Sequence, residues 1–382
     1  MKNCYVYSHY TFGIGHIQRA SLLAKGLSQK FRVFLFYSGA YFDIKFDEIH
    51  KVMRLPAEIK RSRGAKSTIF ESNAKNEQEL VKNRIDSVIE EFRKNEPHVF
   101  ITEFFPFASF RLNKTIIPLL EYIKSNYPNC KIVCSARDFP ISDREDISKY
   151  NKNRLKHIIK KYYDLILIHA PYELSMFKPL NPIFEDIKDI NIKFTGYIVG
   201  KIKKTISRNT KNKILIAVGG GRDGEEFIKK IIDASSLSRL RDEFKIKVIT
   251  GPFSNYSLQQ TNMHFKKMSI KKYVPNLGSN LRNYQCVITM AGYNTIAEIL
   301  LANVNAIIFP RPNSYEQKAR AIRISELSKN INMIDEKTIL IELKNIIEEK
   351  LRLHPIKLNL PQDYFNGIEI SVNEVVKLIK NG

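Results

Sequence analysis

A chain of 382 residues, 43% of them hydrophobic, is long and apolar enough for two folded domains, and this composition excludes a disordered protein. Lysine and arginine number 62 against 39 aspartates and glutamates, a formal net charge of +23. Such a charge attracts nucleotides, anionic lipid or nucleic acid. No zinc-finger, recognition-helix or RNA-binding sheet signature is present, so we predict no specific nucleic-acid partner.

The apolar runs and the cysteines indicate the cellular compartment of the protein. No run approaches the roughly 18 consecutive apolar residues of a spanning helix, and residues 1–7 lack the features of a secretory signal. We therefore expect a cytoplasmic protein. Cys4, Cys134 and Cys286 lie in apolar runs, and Cys130 and Cys134 lack the close pairs of a zinc site. We expect reduced, buried thiols and no metal.

The first half of the chain alternates short apolar runs with segments of helical periodicity. This spacing predicts βαβ units, and hence a parallel sheet covered by helices on both faces. The predicted strands cover residues 4–8, 31–36, 99–102, 131–135 and 165–169, and the clearest predicted helices cover residues 17–27 and 77–93.

A second series of strands makes the chain two such sheets in tandem. Residues 201–213, between the two series, carry six basic residues and no acids, which predicts a linker. The second series covers residues 214–218, 245–250, 287–289 and 304–309, with a short strand before Tyr273. The predicted organisation is a first domain at 1–198, a linker at 199–213, a second domain at 214–366 and a terminal helix at 367–382.

The loop after the first predicted strand enters a helix. Gly13 and Gly15 let another molecule approach the backbone, and the helix dipole favours a neutral His16. A neutral histidine suits a general base, while a helix-capping histidine is the structural alternative. Arg19 faces the same edge or is a solvated helix residue. Gln18 stands where a GxGxxG fingerprint has its third glycine, which disfavours a dinucleotide site.

Charged residues also follow two further strands of the first series. Glu103 follows the third predicted strand, and Arg137 and Asp138 follow the fourth. The carboxyl ends of parallel strands meet at one edge of a sheet, where ligands bind. Asp138 therefore competes with His16 as general base, and Glu103 is a third candidate.

A glycine-rich turn follows the first strand of the second series. Gly219, Gly220 and Gly221 offer a nest of N–H groups for an anion, and Arg222 offers a charged partner to phosphate. A bare tight turn is the alternative. No GxxxxGK[ST] pattern is present, so a P-loop NTPase is disfavoured.

Residues 290–298 (MAGYNTIAE) follow an apolar run and open a helix with small residues, which is typical of a phosphate site. Glu298, one turn into this helix, has two interpretations. Its carboxylate can accept hydrogen bonds from both hydroxyls of a ribose, or it closes a capping box with Thr295. The residues by themselves favour the cap.

The next strand leads into a further helix with polar residues at its start. Glu316 and Gln317 begin this helix, and Arg320 lies one turn on, where it is predicted to reach a phosphate. Tyr273 and Val274 are predicted to supply an edge against a base, although Tyr273 equally suits a core position.

These motifs resemble those of GT-B glycosyltransferases, and the chain is similar to the bacterial UDP-N-acetylglucosamine transferase that makes the lipid-linked peptidoglycan precursor. It resembles more closely a set of predicted glycosyltransferases related to that enzyme. Met290, Glu316 and the first loop depart from the pattern, which has a serine, a histidine and paired glycines there. Further matches are residues 13–20 (GIGHIQRA), 102–107 (TEFFPF), 135–138 (SARD), 195–197 (TGY), 218–221 (VGGG) and 250–252 (TGP).

The resemblance implies an α/β GT-B fold of two tandem Rossmann-like domains with parallel sheets facing a central cleft, the terminal helix crossing back to the first domain. It implies an inverting transferase without cofactor that moves a sugar from a nucleoside-diphosphate sugar, UDP-linked, to an acceptor hydroxyl. A cell-envelope glycan or a lipid-linked precursor is the implied acceptor. No DxD pair or His/Cys cluster stands at a ligand position, so we expect the helix N-terminus, Arg222 and backbone amides to neutralise the leaving diphosphate without a metal.

The resemblance also implies roles for the site residues. Ribose binding becomes the favoured role of Glu298, and the base is His16 or Asp138. The implied donor-binding residues are Gly219, Gly220, Gly221, Arg222, Tyr273, Val274, Ala291, Gly292, Tyr293, Asn294, Thr295, Glu298, Glu316, Gln317 and Arg320, and the acceptor-side residues are Gly13, Gly15, Arg19, Glu103 and Arg137.

A basic amphipathic helix is predicted over residues 149–161. Its charges suit an anionic membrane surface at the inner face of the membrane, and a solvated helix is the alternative. Two other functions stay open. One is a nucleotide-sugar hydrolase or epimerase on the same fold, and the other is a noncatalytic basic protein that binds a polymer or a membrane.

Overall fold

The structure is a computed structural model that describes the chain except for residues 11–12, 61–67, 71–73, 108–111, 139–151, 177–189, 203–209, 221–223, 240, 257–264 and 381–382. The chain divides into two compact units. The first comprises Met1–Phe12, His16–Val199 and Pro361–Gly382, and the second comprises Gly13–Gly15 and Gly200–Leu360.

The first unit is built on a parallel sheet with the strand order β3-β2-β1-β6-β7-β8-β9. The order reverses at β1, which lies between β2 and β6, and open parallel sheets bind ligands at the carboxyl ends of strands at such a reversal. The strands are β1 (Asn3–His9), β2 (Arg32–Ser38), β3 (Lys51–Arg54), the separate antiparallel pair β4 (Glu58–Lys60) and β5 (Thr68–Phe70), then β6 (Val99–Glu103), β7 (Lys131–Ala136), β8 (Leu165–Ile168) and β9 (Asn191–Phe194).

Helices cover this sheet because their apolar stripes pack against its buried strands. Tyr5 of β1, for example, stacks on Phe34 of β2 at a centroid distance of 4.5 Å and meets Phe92 edge-on at 4.8 Å. The helices along this part of the chain are α1 (Gly15–Leu27), α2 (Glu77–Lys94), α3 (Asn113–Asn126) and α4 (Lys152–Tyr162).

The second unit repeats the architecture with the strand order β12-β11-β10-β13-β14-β15, again all parallel. This is the order of a dinucleotide-binding α/β fold, and it reverses between β10 and β13. Its elements are β10 (Lys213–Ala217), α5 (Glu225–Ser236), β11 (Lys245–Ile249), β12 (Met268–Lys271), β13 (Cys286–Met290), α6 (Tyr293–Ala302), β14 (Asn305–Phe309), α7 (Tyr315–Leu327), β15 (Ile331–Met333) and α8 (Leu340–Arg352).

The terminal helix, α9 (Gly367–Lys380), belongs to the first unit. Tyr197 anchors it, since its N–H donates to Tyr364 O at 2.6 Å and its carbonyl accepts from Gly367 N at 3.2 Å. Gly196 has φ of +75°, and a Cβ there would collide with the backbone of Asp363 and Tyr364. Only glycine combines this backbone conformation with so close an approach.

The predicted basic helix corresponds to α4, which packs its apolar side chains inward. The apolar side chains of α4 are buried in the first unit: Leu155, Ile158, Ile159 and Tyr162. Arg154, Lys160 and Lys161 are exposed. The exposed face of the helix is therefore polar and mostly basic. Lys149 and the side chain of Lys152 lie outside the described residues.

The four cysteines are buried, as the sequence predicted, and none of them forms a disulfide. Within the described part of the chain, no helix has the length and apolar character needed to cross a membrane.

Candidate functional site

Charged side chains from two neighbouring elements meet at the carboxyl edge of the first sheet. Glu103, the last residue of β6, accepts hydrogen bonds from Nδ1 of His16 at 2.7 and 2.8 Å and from the guanidinium of Arg19. The side chain of Glu103 is 2% exposed, and that of His16 is 26% exposed. The buried carboxylate is thus paired with a buried arginine, as a buried charge requires, and it holds an imidazole that reaches the surface.

This pairing fixes the tautomer of His16. A carboxylate can only accept, so the proton of the neutral imidazole lies on Nδ1, and Nε2 is the basic nitrogen. Glu103 would also stabilise the imidazolium formed when Nε2 takes up a proton. The sequence placed Glu103 among the rival bases. The structure instead makes it the partner that orients His16.

Phe104 and Arg137 lie beside this group. The ring centroids of His16 and Phe104 are 6.0 Å apart, and the Arg137 guanidinium lies over the Phe104 ring at 4.2 Å. Phe104 has φ of +61°, a left-handed conformation that is uncommon outside glycine and that occurs at functional sites. The structure therefore brings together Arg19, Glu103, His16 and Arg137.

Asp138 is placed differently. It is only 2% exposed, and its backbone carbonyl accepts from Met176 N at 2.8 Å. A general base must reach the proton of its substrate. Of the two candidate bases, His16 is the one with substantial exposed surface. Gly13 has open space around it and, with Gly15, groups with the second unit.

Sequence reasoning missed a buried polar network in the same unit. His169, directly after β8, bonds through Nε2 to Ser135 Oγ at 2.8 Å and through Nδ1 to Thr195 Oγ1 at 2.9 Å. Burial, and after it the charge of Arg19, hold the pKa of His169 well below its usual value, so this imidazole is neutral. The sequence signal that could have revealed this network is that Ser135, His169 and Thr195 each lie at or just after the end of a strand.

In the second unit, helix α6 follows β13, one of the two strands between which the strand order reverses. Gly292 caps α6 in extended conformation with φ of −70° and ψ of 145°, and the first intrahelical bond runs from Ile296 N to Gly292 O at 3.0 Å. The N–H groups of Tyr293, Asn294 and Thr295 thus precede the intrahelical bonds, and the positive end of the helix dipole lies there. This is the geometry of an anion site.

The position of the cap rules out the capping box for Glu298. A capping box needs Thr295 at the N-cap and Glu298 three residues later. Here the N-cap is Gly292, so Thr295 is already the third helical residue and Glu298 is the sixth.

The carboxyl of Glu298 packs against the backbone of Gly278 in the 3-10 helix Leu277–Asn283. Glu298 keeps some exposed surface, yet burial of the carboxyl raises its pKa to about 7. Within the described residues its carboxyl has no hydrogen-bond or ion-pair partner. A desolvated carboxyl at a strand-order reversal is a candidate ligand-binding group.

Glu316 and Arg320 form a buried pair on α7. Arg320 donates from Nη2 to Glu316 Oε1 at 2.7 Å and from Nη1 to Ala291 O at 2.9 Å, and its guanidinium lies 6.0 Å from the Tyr293 ring centre. Arg320 is 3% exposed. These contacts give the pair a positioning role, since they tie α7 to the loop that opens α6.

The other residues predicted to bind the sugar donor are distributed over the second unit. Gln317 Oε1 accepts from Arg311 N at 2.9 Å, which holds the turn before α7. Gly219 has φ of +64° and is exposed, and Gly220 O accepts from Phe253 N at 3.2 Å. Tyr273 and Val274 are half-buried after β12. Gly221 and Arg222 lie outside the described residues.

Much of the second unit matches a known domain family. Residues 214–358 match the model of the glycosyltransferase family 28 C-terminal domain. The match contains α6 with Glu298, and α7 with Gln317.

Curated relatives carry one name, UDP-N-acetylglucosamine--N-acetylmuramyl-(pentapeptide) pyrophosphoryl-undecaprenol N-acetylglucosamine transferase. The protein of Prochlorococcus marinus subsp. pastoris is 26% identical over 250 residues, which cover 60% of this chain and 65% of the relative. That of Finegoldia magna is 22% identical over 236 residues, which cover 58% and 63%. The match thus spans less than two thirds of these relatives' length. It confirms the resemblance predicted from the motifs.

Solved structures show the same fold over the whole chain. The calicheamicin glycosyltransferase CalG4 has a TM-score of 0.62 at 12% identity and covers 100% of this chain and 98% of its own. MurG from Acinetobacter baumannii has a TM-score of 0.53 at 11% identity and covers 100% of both chains. The predicted fold class, α/β with two Rossmann-like domains of the GT-B type, is confirmed.

Proposed function

We propose that the chain is an inverting glycosyltransferase that moves a sugar from a UDP-linked donor to an acceptor hydroxyl. The observation that carries this proposal is the family 28 match over residues 214–358, which contains the anion-binding geometry of α6 and the desolvated Glu298. The names of the curated relatives support a UDP-sugar donor and a lipid-linked acceptor.

The second unit binds the donor. The N-terminus of α6 takes the diphosphate, whose negative charge the helix dipole stabilises. The Glu298 carboxylate accepts hydrogen bonds from the two ribose hydroxyls, which supply the partners that this buried carboxyl lacks among the described residues. Gln317, at the start of α7, contacts the transferred sugar, and the Glu316–Arg320 pair holds the loop that carries Ala291.

The first unit activates the acceptor. His16 Nε2 accepts the proton of the acceptor hydroxyl while the acceptor oxygen forms a bond to the anomeric carbon. The bond from that carbon to the diphosphate oxygen breaks on the opposite side, so the configuration inverts. Glu103 stabilises the imidazolium through Nδ1, and Arg19 keeps Glu103 ionised. The leaving diphosphate is neutralised by α6 and backbone amides, without a metal.

Ligand-dependent thermal unfolding tests this function. A ligand that binds only the native state raises the unfolding midpoint with concentration. We expect UDP and a UDP-sugar to raise the midpoint saturably, and the diphosphates of adenosine, guanosine and thymidine to act less. Absence of a saturable effect from every nucleotide would contradict the proposal and would favour a noncatalytic basic binding protein.

Gly278→Ala should weaken UDP binding while the protein stays folded. A Cβ at Gly278 would collide with the Glu298 carboxyl, which must then move from its position. Calorimetric titration with UDP measures the effect. Gly200→Ala is the matched control in the same unit, because nothing lies within 4 Å of a Cβ there. Equal UDP affinity of wild type and Gly278→Ala would show that the position of Glu298 does not matter to the nucleotide.

Membrane contact through α4 should be purely electrostatic, because its apolar side chains are buried. Changing Lys152, Arg154, Lys156 and Lys160 to glutamine should reduce co-sedimentation with phosphatidylserine vesicles at low salt, at about 1 kcal/mol per charge near the surface. Salt should abolish the binding of the wild type. Neutralising four exposed lysines of the second unit, Lys266, Lys267, Lys271 and Lys272, is the control. Equal losses in both variants would assign the binding to net charge rather than to α4.

A further inference from the structure

A buried arginine without an acidic partner lies on α2 in the first unit. Arg84 is 3% exposed, its Nε donates to Pro56 O, and its Nη2 has no partner among the described residues. No carboxylate of the described chain pairs with it. Burying a guanidinium without an anion is costly, and buried charges in proteins are as a rule paired.

Two polar groups of β1 lie on the strand face that contacts α2. Tyr7 and His9 alternate along the strand and therefore point to one face, the face on which Tyr5 OH donates to Asn95 O beyond α2. Unlike Tyr5, the Tyr7 hydroxyl and His9 Nδ1 are buried with no hydrogen-bond partner among the described residues.

Arg84 lies on α2, the helix that Tyr5 of the same strand face contacts at Glu91 O, and its charge contributes to the pKa values of both groups. Burial raises the pKa of Tyr7 to about 12, with Arg84 opposing the rise. Burial, then Arg84, then His16 lower the pKa of His9 to about 3. Both side chains are thus neutral at physiological pH, and each has a hydrogen to donate. His9 is the member of the three that keeps some exposed surface, and its coupling to His16 places it near the proposed base.

We propose that Tyr7, His9 and Arg84 form a subsite for a singly charged oxygen anion, a carboxylate or a phosphate diester of the acceptor. The guanidinium supplies the one positive charge, and the phenol O–H and imidazole N–H supply neutral donors. Three buried donors without partners among the described residues and a single charge suit one such group. Anion binding here does not depend on the proposed transferase function, whereas the assignment of the anion to the acceptor does.

The unfolding midpoint of Arg84→Met, without ligand and with sodium acetate or dimethyl phosphate, tests the subsite. Removing a buried unpaired charge should keep or raise the midpoint without ligand, because an apolar side chain suits that environment. Both anions should raise the midpoint of the wild type above a sodium chloride control of equal ionic strength. Arg84→Met should lose that increase. Arg93→Met, an exposed arginine on the same helix, should keep it.

The two anions distinguish a carboxylate from a phosphate diester by which gives the larger increase. If Arg84→Met does not fold, Tyr7→Phe removes one unpartnered hydroxyl and should reduce the increase. Anion increases of wild-type size in both variants, or no increase in the wild type, would overturn the subsite. A UDP-dependent increase should persist in Arg84→Met. Absence of a UDP effect in every protein would instead count against the proposed function alone.

Discussion

His16→Ala is expected to lower turnover by about 10²–10⁴-fold, the usual effect of losing a general base, with UDP affinity unchanged. The structure gives two reasons. His16 is held by a buried carboxylate that fixes Nε2 as the basic nitrogen, and His16 belongs to the first unit, whereas the nucleotide is assigned to the second. Steady-state kinetics and calorimetric titration with UDP measure the two quantities. The fold should tolerate the change, because the His16 side chain is 26% exposed.

Glu103→Gln tests the residue that orients His16, and it should affect both stability and turnover. It leaves the buried Arg19 without its anion, so we expect a loss of about 3–5 kcal/mol in the free energy of unfolding, together with reduced turnover. Turnover of Asp138→Asn should be of the same order as that of the wild type. If His16→Ala works normally and Asp138→Asn does not, Asp138 is the base. If His16→Ala loses UDP binding, His16 contacts the donor phosphate.

Glu298→Gln is expected to weaken uridine binding by roughly 10- to 100-fold at pH 8, since hydrogen bonds to an ionised carboxylate contribute about 1.5–3 kcal/mol. Uridine carries the ribose without the phosphates, whose own titration near neutral pH would confuse the measurement. The pKa of Glu298 is about 7, and the ribose hydroxyls donate to the ionised form. Wild-type affinity should therefore rise as the pH increases through 7. The affinity of Glu298→Gln should not change with pH.

The same carboxyl predicts a stability difference without ligand. Its pKa is raised from 4.5 when unfolded to about 7 when folded, so the folded state binds the proton more tightly. The protonated Glu298 carboxyl therefore contributes to the free energy of unfolding. This contribution is complete below pH 4.5, decreases as the pH rises, and is lost above pH 7. Thermal unfolding of Glu298→Gln should match the wild type near pH 4 and exceed it at pH 8. Effects of His9 and His169 cancel, because both proteins carry them. A constant difference across this range would mean that the carboxyl is not desolvated.

The interior strands were predictable because both of their faces are buried, so each is a nearly continuous apolar run. The edge strands were harder. Strands β3, β9 and β15 were not predicted, and β12 was expected only as a short strand, because these edge strands are three or four residues long and consist mostly of exposed or partly buried residues. β9 shows this pattern, with Asn191 and Lys193 exposed.

The sequence predicted that charged and polar site residues follow the strands, but it did not predict which of these residues contact one another. His16 and Glu103 are 87 residues apart in the sequence. They meet because β1 lies beside β6 in the sheet, and the spacing of residues along the chain does not predict which strands are neighbours. Arg84 was missed for a similar reason. On a helix with charged neighbours it looks like a solvated residue, and only its packing against β1 shows that it is buried without an acid.

Following the sugar of a labelled donor tests glycosyl transfer most directly. The protein is incubated with UDP-sugars radiolabelled in the sugar, including UDP-N-acetylglucosamine, with and without a detergent extract of membranes from its source organism. We expect label from one donor to enter the lipid or polymer fraction only when the extract is present, and His16→Ala to suppress that incorporation. Release of free labelled sugar at the same rate without the extract would contradict glycosyl transfer and would identify a nucleotide-sugar hydrolase.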